Sequence, residues 1–138
     1  MYFLQGVPRA VLHIGPAKTS SSRIQRILHN LKDELIDVNY HLPHYKSSDG
    51  THSTSDPKGL AKFFSALQES PLVNAAAEIK IMTEFLKTSL DHKHNIILSA
   101  EAFSILEQHQ IAKLKEMLHG FEVLVVFVYR DVLLQIVS

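Results

Sequence analysis

Residues 122–129 read EVLVVFVY, and no other stretch constrains the fold as much. After Glu122 every residue is apolar or aromatic. β-branched and aromatic side chains suit an extended, packed backbone. A strand with one wet face alternates apolar and polar residues. A continuous apolar run instead predicts cover on both faces, as in a parallel strand between helices. The chain must then supply further strands beside this one and helices over it.

The rest of the sequence offers both. Residues 10–14 (AVLHI) form a short apolar run closed by Gly15-Pro16, which reads as a buried strand. Residues 95–99 (NIILS) read as a second strand. Between them, Ile24, Ile27, Leu28, Leu31 and Leu35 recur at helical spacing, with one of residues 19–21 expected as the cap and an end near residues 37–39. Leu60, Phe63, Phe64 and Leu67 predict a short helix. Residues 75–90 predict another, with Ile79, Met82, Phe85 or Leu86, and Leu90 on one face. Ile111, Leu114 and Leu118 mark a further helix closed by Gly120. Residues 40–59, rich in Ser, Asp, Gly, Pro and His, read as one long surface loop. Residues 132–138 (VLLQIVS) start a last helix. Strands alternating with helices predict an α/β fold with a mainly parallel sheet and right-handed crossovers, in one domain spanning residues 1–138.

Composition narrows the function classes. Lys and Arg number 14, as do Asp and Glu, so the formal net charge is zero. Broad nucleic-acid binding needs a basic face, so any anion recognition is expected to be local. The absence of cysteine removes disulfides, thiolate metal sites and thiol nucleophiles. No apolar stretch is long enough for a transmembrane helix, and the N-terminus MYFLQGVPRA lacks a signal-peptide pattern. Together these favour a cytoplasmic protein without a membrane segment. Of nine histidines, His41/His44 and His92/His94 are close pairs, too few to define a metal centre. His13 reads as a core or sheet-face residue, and the Phe63/Phe64 pair as core, with an aromatic lining an acceptor pocket as the alternative.

The chemistry gathers where strands end. In open α/β sheets, ligands bind beyond the carboxyl ends of the strands. Three clusters fall there: Gly15, Pro16, Lys18, Thr19, Ser20, Ser21 and Ser22 after the first strand, Ser99 to Glu101 after the second, and Arg130 after the third. Backbone N–H groups at a helix start carry a positive dipole end and bind anions. Gly15 permits close approach, Pro16 stiffens the turn, and Lys18 supplies a point charge suited to phosphate oxygens. The same residues also fit a plain capped turn with a solvated Lys. Arg130 fits equally a pair with Asp131 or a helix end. If the residues after Arg130 are helical, the eight positions to Ser138 span about 12 Å, and both side chains reach one phosphate. The loop is not a nucleoside-triphosphate P-loop of the form G-x-x-x-x-G-K-[ST], because Lys18 follows Gly15 by three with no second Gly.

Together these stretches resemble a known family. VLHIGPAKTSSSRIQ resembles the 5′-phosphosulfate loop of sulfotransferases that use 3′-phosphoadenosine 5′-phosphosulfate (PAPS), a strand, a loop of the type P-x-K-[TS]-G-[ST]-[ST] and a helix. FVYRDVLLQIVS resembles their 3′-phosphate motif, an Arg at a strand end with a Ser eight residues on. Tyr40–Pro43 and the SAEAF of residues 99–103 also match family features, so the resemblance spans essentially the whole chain. It implies a three-layer, P-loop-like α/β architecture and sulfuryl transfer from PAPS to an acceptor hydroxyl or amine, on a carbohydrate by analogy, without a metal. It implies Lys18 at the 5′-phosphosulfate bridge, residues 19–22 on the 5′-phosphate and sulfuryl oxygens, and Arg130 and Ser138 on the 3′-phosphate. Glu101 is the candidate base; a carboxylate there also suits a helix start.

The sequence departs from the family pattern in three ways. Ser20 stands in place of the usual Gly, and Ala17 in place of a frequent His. The chain also spans less than a family catalytic domain, which would make it an incomplete sulfotransferase-like domain. The rival reading is therefore a truncated, non-catalytic nucleotide-binding or protein-interaction module of the same fold. It predicts exposed apolar surface and homo-oligomers. A nucleotide-kinase reading fails on the loop spacing.

Overall fold

The computed structural model describes residues 6–14, 21–43 and 57–127, with the side chains of residues 21, 22, 57–59, 61, 101 and 102 left aside. The fold is mixed α/β around a four-stranded, all-parallel sheet. In chain order the elements are β1 (Arg9–Ile14), α1 (Ser21–Asn30), α2 (Lys32–Asp37), β2 (Tyr40–His41), α3 (Pro57–Leu67), α4 (Ala75–Asp91), β3 (Asn95–Ala100), a 3₁₀ turn (Glu101–Ile105), α5 (Gln108–Met117) and β4 (Glu122–Phe127). The strand order is β2-β3-β1-β4.

Alternation sorts the strands into two faces. Ala10 and Leu12 of β1 and Ile96, Leu98 and Ala100 of β3 join a buried cluster with Leu60, Phe63, Phe64 and Leu67 of α3, Met82 and Leu86 of α4, and Leu114 of α5. Phe64 sits edge-to-face with Phe63 at 5.3 Å and with Phe103 at 4.7 Å, the geometry that aromatic quadrupoles favour. The Phe63/Phe64 pair is thus core, as its spacing predicts. Asn74 caps α4 by accepting from the Ala77 N–H at 3.2 Å. A reciprocal capping box between Glu107 and Gln110 opens α5.

At the amino edge, β1 is tied to its neighbours by polar contacts. The Arg9 N–H donates to Asn95 Oδ1 at 2.8 Å, and its guanidinium donates to the Tyr40 hydroxyl at 3.2 Å. The Glu122 N–H donates to the Pro8 carbonyl at 2.9 Å.

Four expectations need correction. First, EVLVVF is not covered on both faces. β4 lies at the sheet edge, hydrogen-bonded to β1, and Val123, Val125, Val126 and Phe127 are 44%, 54%, 41% and 57% exposed. The apolar run reports strand propensity here, not burial. Second, the polar stretch after Asn39 begins with a strand and ends with a helix. Tyr40 and His41 pair with Asn95 and Ile96, Leu42 and Pro43 are buried, and α3 starts at Pro57. Third, the predicted helix ending near residues 37–39 is interrupted at Leu31, giving α1 and α2, and no described side chain of either is buried. Fourth, Met82 and Leu86 of α4 are buried and Phe85 and Leu90 pack on the core as the spacing predicts, but Glu78 and Ser89 are buried beside them, whereas Ile79 is only partly buried.

Candidate functional site

The three strands that precede the sequence clusters in the chain end level with one another. Ile14, the last residue of β1, pairs with Ala100, the last of β3, and with Phe127, the last of β4. The central strand and both of its neighbours therefore run in the same direction and end level. Residue 15, residue 101 and residue 128 each follow one of these three ends in the chain. This is the edge at which parallel α/β sheets bind ligands.

Of the sequence-predicted residues, Gly15, Pro16, Lys18, Thr19, Ser20, Arg130 and Ser138 lie outside the described residues. So do the expected helix over residues 132–138 and His44. Ser21 and Ser22 form the first two positions of α1. Glu101 opens the 3₁₀ turn directly after β3.

His13 stands one residue before the end of β1. It is 5% exposed, and it belongs to the sheet face opposite Leu12 and Leu98. His13 pairs in register with Ser99 on β3. Their side chains share a hydrogen bond, Nδ1 to Oγ, of 2.7 Å. His13 Nε2 is also buried and has no hydrogen-bond partner among the described residues. Burial disfavours the imidazolium and lowers the His13 pKa from its ordinary value.

Sequence reasoning placed His13 in the core or on a sheet face and Ser99 at a strand end, without joining them. The relation lies in the register: each residue stands immediately before the last residue of its strand, and β3 runs one residue beyond the Ser99 end that the sequence suggests. In adjacent parallel strands that end level, equal distance from the end means lateral contact.

The histidine pairs regroup across the fold. His41 of β2 stacks on His94 with ring centroids 3.9 Å apart, and His92 lies 5.4 Å from His94. His92 donates from Nδ1 to the Thr88 carbonyl at 2.8 Å. Stacked rings do not converge their nitrogens on a point. Among the described residues no group of three or more His, Asp or Glu is arranged to hold a metal ion. Nor is any described helix long and apolar enough to cross a membrane.

No family model matches the chain, and neither a curated protein nor a solved structure matches it.

Proposed function

We propose that the chain is the cofactor-binding part of a PAPS-dependent sulfotransferase with a three-layer, P-loop-like architecture. What carries this reading is the level ending of β3, β1 and β4 at one sheet edge, with Ile14 beside Ala100 and Phe127. The three motifs that resemble the family follow those strand ends in the sequence. Motifs on distant or antiparallel strands would have removed its basis.

In this reading Lys18 and the backbone and hydroxyls of residues 19–22 hold the 5′-phosphosulfate. Arg130 and Ser138 hold the 3′-phosphate. The acceptor oxygen or nitrogen attacks sulfur, and the bond from sulfur to the 5′-phosphate oxygen breaks. The acceptor proton passes to Glu101, and 3′-phosphoadenosine 5′-phosphate leaves. Lys18 offsets charge growing on the leaving phosphate, as positioned cations do in phosphoryl transfer. A carbohydrate is the acceptor class that the family resemblance suggests.

Calorimetry with 3′-phosphoadenosine 5′-phosphate tests the reading, with AMP as control. Selective binding that is lost in Arg130→Ala supports it. A folded chain that binds neither nucleotide overturns it.

A second reading, a non-catalytic interaction module of the same fold, draws on the exposed apolar side chains of β4. Edge strands of this kind pair with other chains. A strictly monomeric chain at high concentration counts against that module.

A further inference from the structure

We propose that Ser99 is a hydrogen-bond donor to a phosphate or sulfuryl oxygen at the carboxyl edge of the sheet, and that His13 is the positioning residue that frees its proton. The proposal deepens the sulfotransferase reading and rests on it. The argument starts from the nitrogen of His13 that does not face Ser99.

Nε2 is buried without a partner among the described residues, while Nδ1 lies 2.7 Å from Ser99 Oγ. A neutral imidazole carries its one proton on either nitrogen. With the proton on Nε2, the molecule would bury an unmet N–H donor. With the proton on Nδ1, it buries an unmet acceptor instead. Buried N–H groups left without an acceptor are the rarer case in folded proteins. The geometry therefore favours Nδ1–H donating to Ser99 Oγ. Burial keeps the ring neutral, consistent with its lowered pKa.

This assignment fixes what Ser99 does. Its oxygen accepts from His13, so its own O–H proton is available to another acceptor. Ser99 is only partly buried, whereas His13 beside it is buried. It stands one residue before the end of β3, beside the end of β1. A hydroxyl so placed, held by a neutral donor, suits an anionic oxygen and adds no charge of its own.

The test combines a spectroscopic and a binding readout on the full chain. Long-range ¹H–¹⁵N spectra of the His13 imidazole are expected to place the proton on Nδ1. A proton on Nε2 overturns the proposal whatever binds. With 3′-phosphoadenosine 5′-phosphate as probe, Ser99→Ala is expected to raise Kd about tenfold, the scale of one hydrogen bond to a charged group. Ser99→Thr keeps the hydroxyl and is expected to retain affinity. His13→Asn places an amide donor near the Nδ1 position and is expected to preserve binding. His13→Gln places it near Nε2 and is expected to behave like Ser99→Ala. Binding lost in Arg130→Ala but unchanged in Ser99→Ala overturns the role of Ser99 and leaves the cofactor reading standing. No binding by the folded wild-type chain overturns both.

Discussion

His13 Nδ1 and Ser99 Oγ meet at 2.7 Å across two parallel strands that each end one residue later. This contact buries a titratable ring one step below the edge where the sequence motifs begin. A stability effect with a definite sign follows. Burial holds the folded-state pKa of His13 below its ordinary value of 6.5. The unfolded chain therefore takes up a proton that the folded chain refuses. The contribution of His13 is fully present above the unfolded pKa and is lost as pH falls toward the folded one. Urea midpoints measured at about pH 7.5 and pH 5.5 are expected to fall more for the wild type than for His13→Gln. Equal falls would show that His13 takes up its proton as readily in the folded chain as in the unfolded one.

Gly120 follows α5 with φ of +97°, and Gly6 precedes β1 with φ of +76°. Both are left-handed, so alanine is strained at either position. Their surroundings differ. A Cβ on Gly120 would lie 3.2 Å from both Cδ atoms of Leu90, whereas one on Gly6 would meet nothing within 4 Å. Gly6→Ala is expected to cost about 1 kcal/mol and Gly120→Ala about 2 kcal/mol. Chemical denaturation reads both. Equal losses would show that Leu90 yields freely and that strain alone matters.

What could be read in the sequence was local. The apolar runs of β1 and β3 are short, closed by turn or helix residues, and recognisable without a partner. So is the helical spacing of Leu60, Phe63, Phe64 and Leu67. Features set by pairing were not readable. Tyr40 and His41 are a strand because Asn95 and Ile96 lie beside them, and because Asn39, at φ of +62°, turns the chain into that position. Nothing in YHLPHYKSS distinguishes those two residues from a loop. The buried carboxylate of Glu78, 1% exposed, contradicts every helical-face rule, since charged residues are seldom fully buried. The site divides in the same way. Its motifs are legible as residue types after apolar runs. The level ending of three strands is a matter of register, which no single stretch encodes, and so is the meeting of His13 with Ser99.

β4 presents Val125 at 54% exposure in an edge strand that pairs with β1. Exposed apolar edges invite pairing with a second chain, and lysine is a common natural deterrent. Val125→Lys is expected to change unfolding free energy by less than about 1 kcal/mol, because the replaced side chain is already about half in solvent and a lysine stem can lie along the same surface. It is also expected to suppress concentration-dependent self-association in sedimentation velocity. If the wild type sediments as one monomeric species at all concentrations, β4 is not a contact between copies. If association persists in the variant, another surface carries it.

Lys18 and Arg130 carry different parts of the proposed reaction, so their loss must read differently in kinetics. In the proposed reaction the charge that Lys18 offsets grows on the leaving 5′-phosphate as the sulfur bond breaks. Its largest effect therefore falls on the transition state, and Lys18→Ala is expected to lower kcat by about 10²–10³ in any form of the protein that turns over. In the proposed site Arg130 holds the 3′-phosphate, which is unchanged by the reaction. Such uniform binding raises KM when removed and leaves kcat nearly intact. Steady-state transfer of labelled sulfuryl from PAPS separates the two. Near-normal turnover by Lys18→Ala would remove the role given to Lys18. An equal loss of kcat in both variants would show that Arg130 also aligns the reacting group, making the two phosphate sites a single unit.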